Sequence, residues 1–241
     1  MMNHVRTFSL LLAPALLLPF VPRGDGEEIE LDEAEVFIEY NSTDGDFGIQ
    51  FFWDGEPWDR MKVEDHNGKT VLRVKVLKRL AKQGLTEGFF ESAEPDVSVL
   101  SMEEFFERFP EGEYEFEGET LEGEELEGET EFTHVLPAPP TNLFPPDGAL
   151  VDSQRERVVS CDPVTTDFEG DPLTPELYEM VLEAENGILR VLSMTVEGDD
   201  PNPSMTIPPQ FLQRGIEYKL EIIVQEESGN RTIAETEFET F

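Results

Sequence analysis

The chain has 241 residues, 38% of them hydrophobic and 10% aromatic, which is material for one large or two modest cores and argues against a disordered polyanion. Its 54 acidic residues against 17 basic ones give a formal charge of -37, so nucleic-acid backbones and anionic lipid are not expected partners. The single cysteine, Cys161, excludes an intrachain disulfide, and with only three histidines in the chain no zinc cluster can be assembled.

Residues 1–24 read as a signal peptide. His4 and Arg6 precede an apolar run from Leu10 to Val21, broken by Pro14 and Pro19, that is too short to span a bilayer. Export follows as the expectation: a secreted, periplasmic or otherwise extracellular protein, free of the membrane after cleavage.

Residues 28–135 form an expected β-rich domain. Ala34, Val36, Ile38 and Tyr40 alternate with glutamates, and Phe47, Ile49, Phe51 and Trp53 repeat the period-two pattern of a half-buried strand. Asp54-Gly55-Glu56-Pro57 reads as a turn, which puts Trp58 on an exposed loop as a candidate contact for a sugar or peptide. Asn67-Gly68 fits a two-residue hairpin with positive φ at both positions. Arg60 and Lys62 on one arm and Arg73 and Lys75 on the other predict a positive strip, which acids on neighbouring strands would neutralise.

Two short helices are expected next, one near Lys78–Leu85 ended by Gly84 and one capped by Ser101 with Glu104, its face formed by Met102, Phe105, Phe106 and Phe109. From Glu111 to Glu131 about every second residue is glutamate, yet Tyr114 and Phe116, then Thr130, Phe132 and His134, keep the strand period. This stretch therefore reads as two solvent-facing strands and not as a tail. Val135 to Pro140, VLPAPP, reads as a stiff link between two domains.

Residues 136–241 carry a family resemblance. Leu212, Gly215 and Tyr218 precede the alternation Tyr218, Leu220, Ile222, Val224, and a proline-led start runs from Pro139 to Leu143. Together these resemble the E-F corner and first strand of a fibronectin type III domain. The resemblance implies an immunoglobulin-like sandwich with a tyrosine corner, in which Cys161 stands where the family places tryptophan, leaving Tyr178 or Met180 to fill the space. Asn186-Gly187 reads as a turn before the strand Ile188–Val196, and Glu226 to Asn230 as a flexible final turn. The fold expected for the whole chain is mainly β, two β-sandwich domains, the first with one or two short helices.

Chemistry is sparse. His66 sits in a turn, His134 at a strand end and Cys161 on a core strand, so no nucleophile and base are brought together and no enzyme is expected. Asp44 and Asp46, and Asp199 and Asp200, lie on loops rich in oxygen donors and are the candidate ligands for calcium, the one cofactor to consider; Asp167 to Asp171 is a third such loop. Asn41-Ser42-Thr43 and Asn230-Arg231-Thr232 fit the glycosylation sequon. The function expected is a non-enzymatic binding or spacer protein contacting protein or carbohydrate at the cell exterior. The alternatives are an accessory subunit or inhibitor that docks a basic protein through its glutamate-rich face, and a calcium-dependent adhesion module.

Overall fold

A computed structural model of the chain describes residues 28–184 and 190–241; the stretch read as a signal peptide and the expected Asn186-Gly187 turn lie outside the described residues. In the first half the elements are β1 (Glu28–Glu30), β2 (Glu33–Asn41), β3 (Asp46–Glu64), β4 (Thr70–Lys75), β5 (Leu85–Glu91), α1 (Met102–Arg108), β6 (Gly112–Thr120) and β7 (Glu125–Phe132). The sandwich is organised by β3, whose 19 residues run straight through the expected Asp54–Pro57 turn. Its first part pairs with β2 and β5, its second with β4 and β6, so one strand serves both layers. At the other margin β1 pairs with β7, and after two residues the chain continues as β2 on β3. Leu31 N–H donates to Glu127 at 2.8 Å and Asp32 N–H to Asp54 at 2.9 Å, stitching that crossing to both layers.

The bend in β3 also corrects Trp58. Residues 53 and 58 are five apart, so a regular strand would place them on opposite faces. The register shifts between Asp54 and Trp58, and both indoles turn inward, tilted against each other at 5.5 Å. Trp58 is 0% exposed and belongs to the core, with no solvent face to offer a ligand. The hairpin turn differs as well: only Gly68 has positive φ, and the buried Asp65 carboxylate accepts the N–H groups of Asn67 and Lys69. The first helix is a single 3-10 turn, Leu80–Lys82, before Gly84. The second is α1, with both bonds of the Ser101–Glu104 capping box and Phe105 buried against Phe47.

The second half contains β8 (Ala149–Val151), β9 (Arg157–Ser160), β10 (Leu177–Ala184), β11 (Arg190–Glu197), β12 (Ser204–Ile207), β13 (Glu217–Gln225) and β14 (Arg231–Thr240). One layer is β9-β12 and the other β11-β10-β13-β14, with β8 running parallel to the end of β14. This is the fibronectin type III-like arrangement. Its corner is formed as the sequence predicts: Tyr218 OH donates to Phe211 O at 3.3 Å and accepts Gln213 N–H at 2.8 Å, beside Gly215 at φ 71. Tyr178 and Met180 are fully buried in the same core cluster as Cys161, and Tyr178 OH accepts the Val164 N–H at 2.8 Å.

The layers of the two halves merge. Parallel pairing of β14 with β2, from Arg231↔Glu39 to Ile233↔Asn41, makes one sheet in the order β5-β3-β2-β14-β13-β10-β11. The proline-rich segment is bonded to this junction and does not hang as a tether. Asn230 Nδ2 donates to the carbonyls of Thr133 and Val135 at 2.9 Å each, and Thr232 Oγ1 to Pro137 O at 2.7 Å. The turn expected to be flexible thus ends in Asn230, 0% exposed.

Candidate functional site

Strand alternation sends Tyr114, Phe116, Leu126 and Phe132 inward and the intervening glutamates outward. The register then sets acid directly against acid: Glu113↔Glu131, Glu115↔Glu129, Glu117↔Glu127 and Glu119↔Glu125 between β6 and β7, with Glu28↔Glu125 and Glu30↔Glu127 between β1 and β7. Like charges opposed across strands destabilise a sheet, where a favourable pair would contribute about 0.2–1 kcal/mol. Burial, then Glu113, Glu117, Glu64 and Glu129, raises the pKa of Glu115; burial, then Glu28 and Glu125, raises that of Glu127.

Cations border this face on one side. Arg60 pairs with Glu119, and Lys62 with Glu117 at 2.6 Å and Glu64 at 3.1 Å. Burial works against the charge of Lys62, but its bonds to Glu117 and Glu64 raise its pKa. So neighbouring strands do supply acids to β3, as the sequence predicts. They do not supply them to Lys75 on β4, which has no ion pair among the described residues. A cleft of about 510 Å³ lies along this border, with Arg60, Lys62, Arg73 and Lys75 on one wall and Glu117, Glu119 and Glu125 on the other.

A second acidic group lies at the junction. Glu39 of β2 and Glu91 and Glu94 at the end of β5 bring carboxylate oxygens within 4.8 Å of one another. Gly48 makes the room: a Cβ there would stand 3.0 Å from Glu94 Cγ. Burial, then Glu91, Glu39 and Asp46, pushes the pKa of Glu94 up to about 7. Arg231 approaches Glu39 at 4.0 Å and lies over the Phe37 ring at 4.2 Å. The crowding of carboxylates thus favours the protonated form of Glu94.

The four aspartates expected to bind calcium are not in that group, and among the described residues no other three Asp, Glu, His or Cys side chains converge. Asp44 accepts from Asn41 Nδ2 at 3.3 Å on the β2–β3 turn, where Asp46 faces Asp96 across an isolated bridge. Asp199 and Asp200 lie on the loop after β11, and Asp200 accepts the Asn202 N–H at 2.8 Å. Asp167 is occupied by three backbone N–H groups of its own loop. Of the nucleophile and base candidates, His66 lies against Gly112, His134 Nε2 is 2.7 Å from Phe109 O, and burial, then Asp162, pushes the Cys161 thiol up to about 12. Neither sequon asparagine offers a free amide, since Asn41 Nδ2 also donates to Glu235 at 2.9 Å and Asn230 is buried. The Glu39–Glu91–Glu94 group was missed in sequence because its members come from two strands and a loop brought together only by pairing.

No protein-family model matches the chain, and no curated protein matches it in sequence. The structure is similar to the FN1-FN3 domains of chicken CNTN1, at 11% identity and TM-score 0.35, over 90% of this chain and 66% of that one. It is similar to the tetra-tandem repeat in the extending region of a large adhesion protein, at 15% identity and TM-score 0.27, over 86% of this chain and 50% of that one. It is also similar to a 1.5-MDa bacterial ice-binding adhesin, at 11% identity and TM-score 0.26, over 88% of this chain and 65% of that one. The chain thus spans about half to two thirds of those chains, and the likeness is one of β architecture, which the strand pairings define.

Proposed function

We propose that the protein is a non-enzymatic binding and spacing module that works outside the cell, and that it docks a basic protein through the β1-β7-β6 glutamate face. The observation that carries this reading is the register of acid on acid over three strands. Folding alone gives no reason for it. The inward residues form the core, and the outward ones could alternate in sign as they do where β6 meets Arg60 and Lys62 of β3. A face that gives up cross-strand pairing is matched to something that brings cations. Spacing is supported by the merged sheet and by the bonds of Asn230 and Thr232 across the junction, which hold the halves as one stiff body.

The test uses a small cationic protein, cytochrome c, as probe. Replacing Glu115, Glu127 and Glu129 by Gln is expected to weaken binding about tenfold, and the wild-type affinity to fade with salt. A charge-matched control, Glu169→Gln, Glu227→Gln and Glu239→Gln, alters exposed residues of the other half and should change affinity less than about threefold. Equal losses in the two variants would mean that net charge alone attracts the probe, and the face would lose its role.

A further inference from the structure

The two loops that flank β5 differ in charge sign and share an unusual exposure of aliphatic side chains. At the start of β5, Leu77 is 65% and Leu80 48% exposed. Around them Lys75, Lys78, Arg79 and Lys82 are exposed and make no ion pair among the described residues. Lys78 holds φ 60, a left-handed conformation that costs a residue with a Cβ and persists only where its surroundings impose it. At the end of β5, Val97 is 42% and Val99 77% exposed on a turn fixed by Asp96, whose carboxylate accepts the Ser98 N–H at 2.7 Å. Beside them lie the exposed carboxylates of Glu91 and Glu94, which converge with Glu39.

These loops cannot neutralise each other within one molecule. The first packs at Pro57 of β3 through Gly84, the second at Gly45 through the Val97 N–H, and β5 with its seven residues lies between them. At about 3.3 Å per residue that separation is about 20 Å, beyond two Debye lengths at physiological salt. A second copy can bring them together, because each copy carries one loop at either end of the same strand and the contact of one pair leaves the other pair open. Leucines would meet valines and lysines would meet glutamates. We propose that copies of this chain associate head to tail, the Leu77–Lys82 loop of one seating on the Val97–Val99 turn of the next. The interface is heterologous, so it builds open chains, or rings where the rotation between copies closes. This goes beyond the docking of a basic partner and leaves β6 and β7 exposed.

Sedimentation velocity across about 1–200 µM protein in about 0.15 M salt tests it, a range in which long-range repulsion between copies is screened. Wild type is expected to grow in mass with concentration. The triple variant Lys78→Gln, Arg79→Gln, Lys82→Gln and the double variant Val97→Lys, Val99→Lys each lose one end only, and each alone should remain a monomer. Their equimolar mixture retains one intact pair of ends and should give a dimer that grows no further. A monomeric wild type, variants that grow as wild type does, or a mixture that stays monomeric would each overturn the proposal. So would binding of monomeric wild type, and not of the triple variant, to phosphatidylserine vesicles, which would give the basic loop to a membrane surface. Neither variant touches the glutamate face, so this result and the cytochrome c result are separable.

Discussion

Asn230 commits every polar atom of its side chain to the joint between the halves. Its Oδ1 accepts the Ile38 N–H at 2.7 Å while Nδ2 reaches two carbonyls of the 133–135 segment. Asn230→Ala would leave one buried N–H and two carbonyls without their partner, and a loss of about 2–4 kcal/mol is expected in urea unfolding, with faster hydrogen exchange at Ile38. A loss below about 0.5 kcal/mol would mean that the joint is wet and loose. Nothing local in Glu-Ser-Gly-Asn announces this role, because the partners stand 95 to 192 positions away in sequence. Trp58 was misplaced for a related reason: a turn signal at Gly55 and Pro57 is read locally, while the decision to bend instead of reverse belongs to the layers on either side. Trp58→Ala is accordingly expected to destabilise by about 3–5 kcal/mol, the cost of emptying a core site, and the same unfolding measurement checks it.

At the scale of elements, the alternating pattern was enough to place most of the strands, including the glutamate hairpin, because an inward row of Tyr114, Phe116, Leu126 and Phe132 persists beneath the low-complexity surface. The corner was legible for the same kind of reason: Leu212, Gly215 and Tyr218 act within one turn of chain, so their spacing contains their geometry. What the pattern lacked was partner choice. That β3 serves two layers, and that β14 joins β2, depends on pairings between residues distant in sequence. Partner choice also exposes the charge conflict. Glu127 faces Glu117 across one ladder and Glu30 across the other, so Glu127→Lys turns two opposed pairs into attractive ones. A gain of about 0.5–1 kcal/mol is expected at low salt, shrinking as salt is added, while affinity for a cationic probe falls. A variant no more stable than wild type would show that these carboxylates are already neutralised in solution.

Across the whole molecule the charge of -37 makes protons and salt stabilising agents. Glu94 shows the sign. Its folded pKa, about 7, exceeds the ordinary 4.5, so the folded chain holds this proton more tightly than the unfolded one. The stability this contributes is fully present below pH 4.5 and is lost as pH rises toward 7. Burial raises Glu39, Asp46, Glu115, Glu127, Glu226 and Glu235 as well, so they act in the same direction, against the lowered Glu64 and Asp96. The urea midpoint is therefore expected to be higher at about pH 5 than at about pH 7.5, with Glu94→Gln flattening part of the slope. Added salt should raise the midpoint at the higher pH and do less at the lower, where fewer carboxylates remain to repel. The opposite slope, stability lost on acidification through this window, would require the acidic groups to be paired with cations in solution, and the glutamate face would then have no unmet charge to offer a partner.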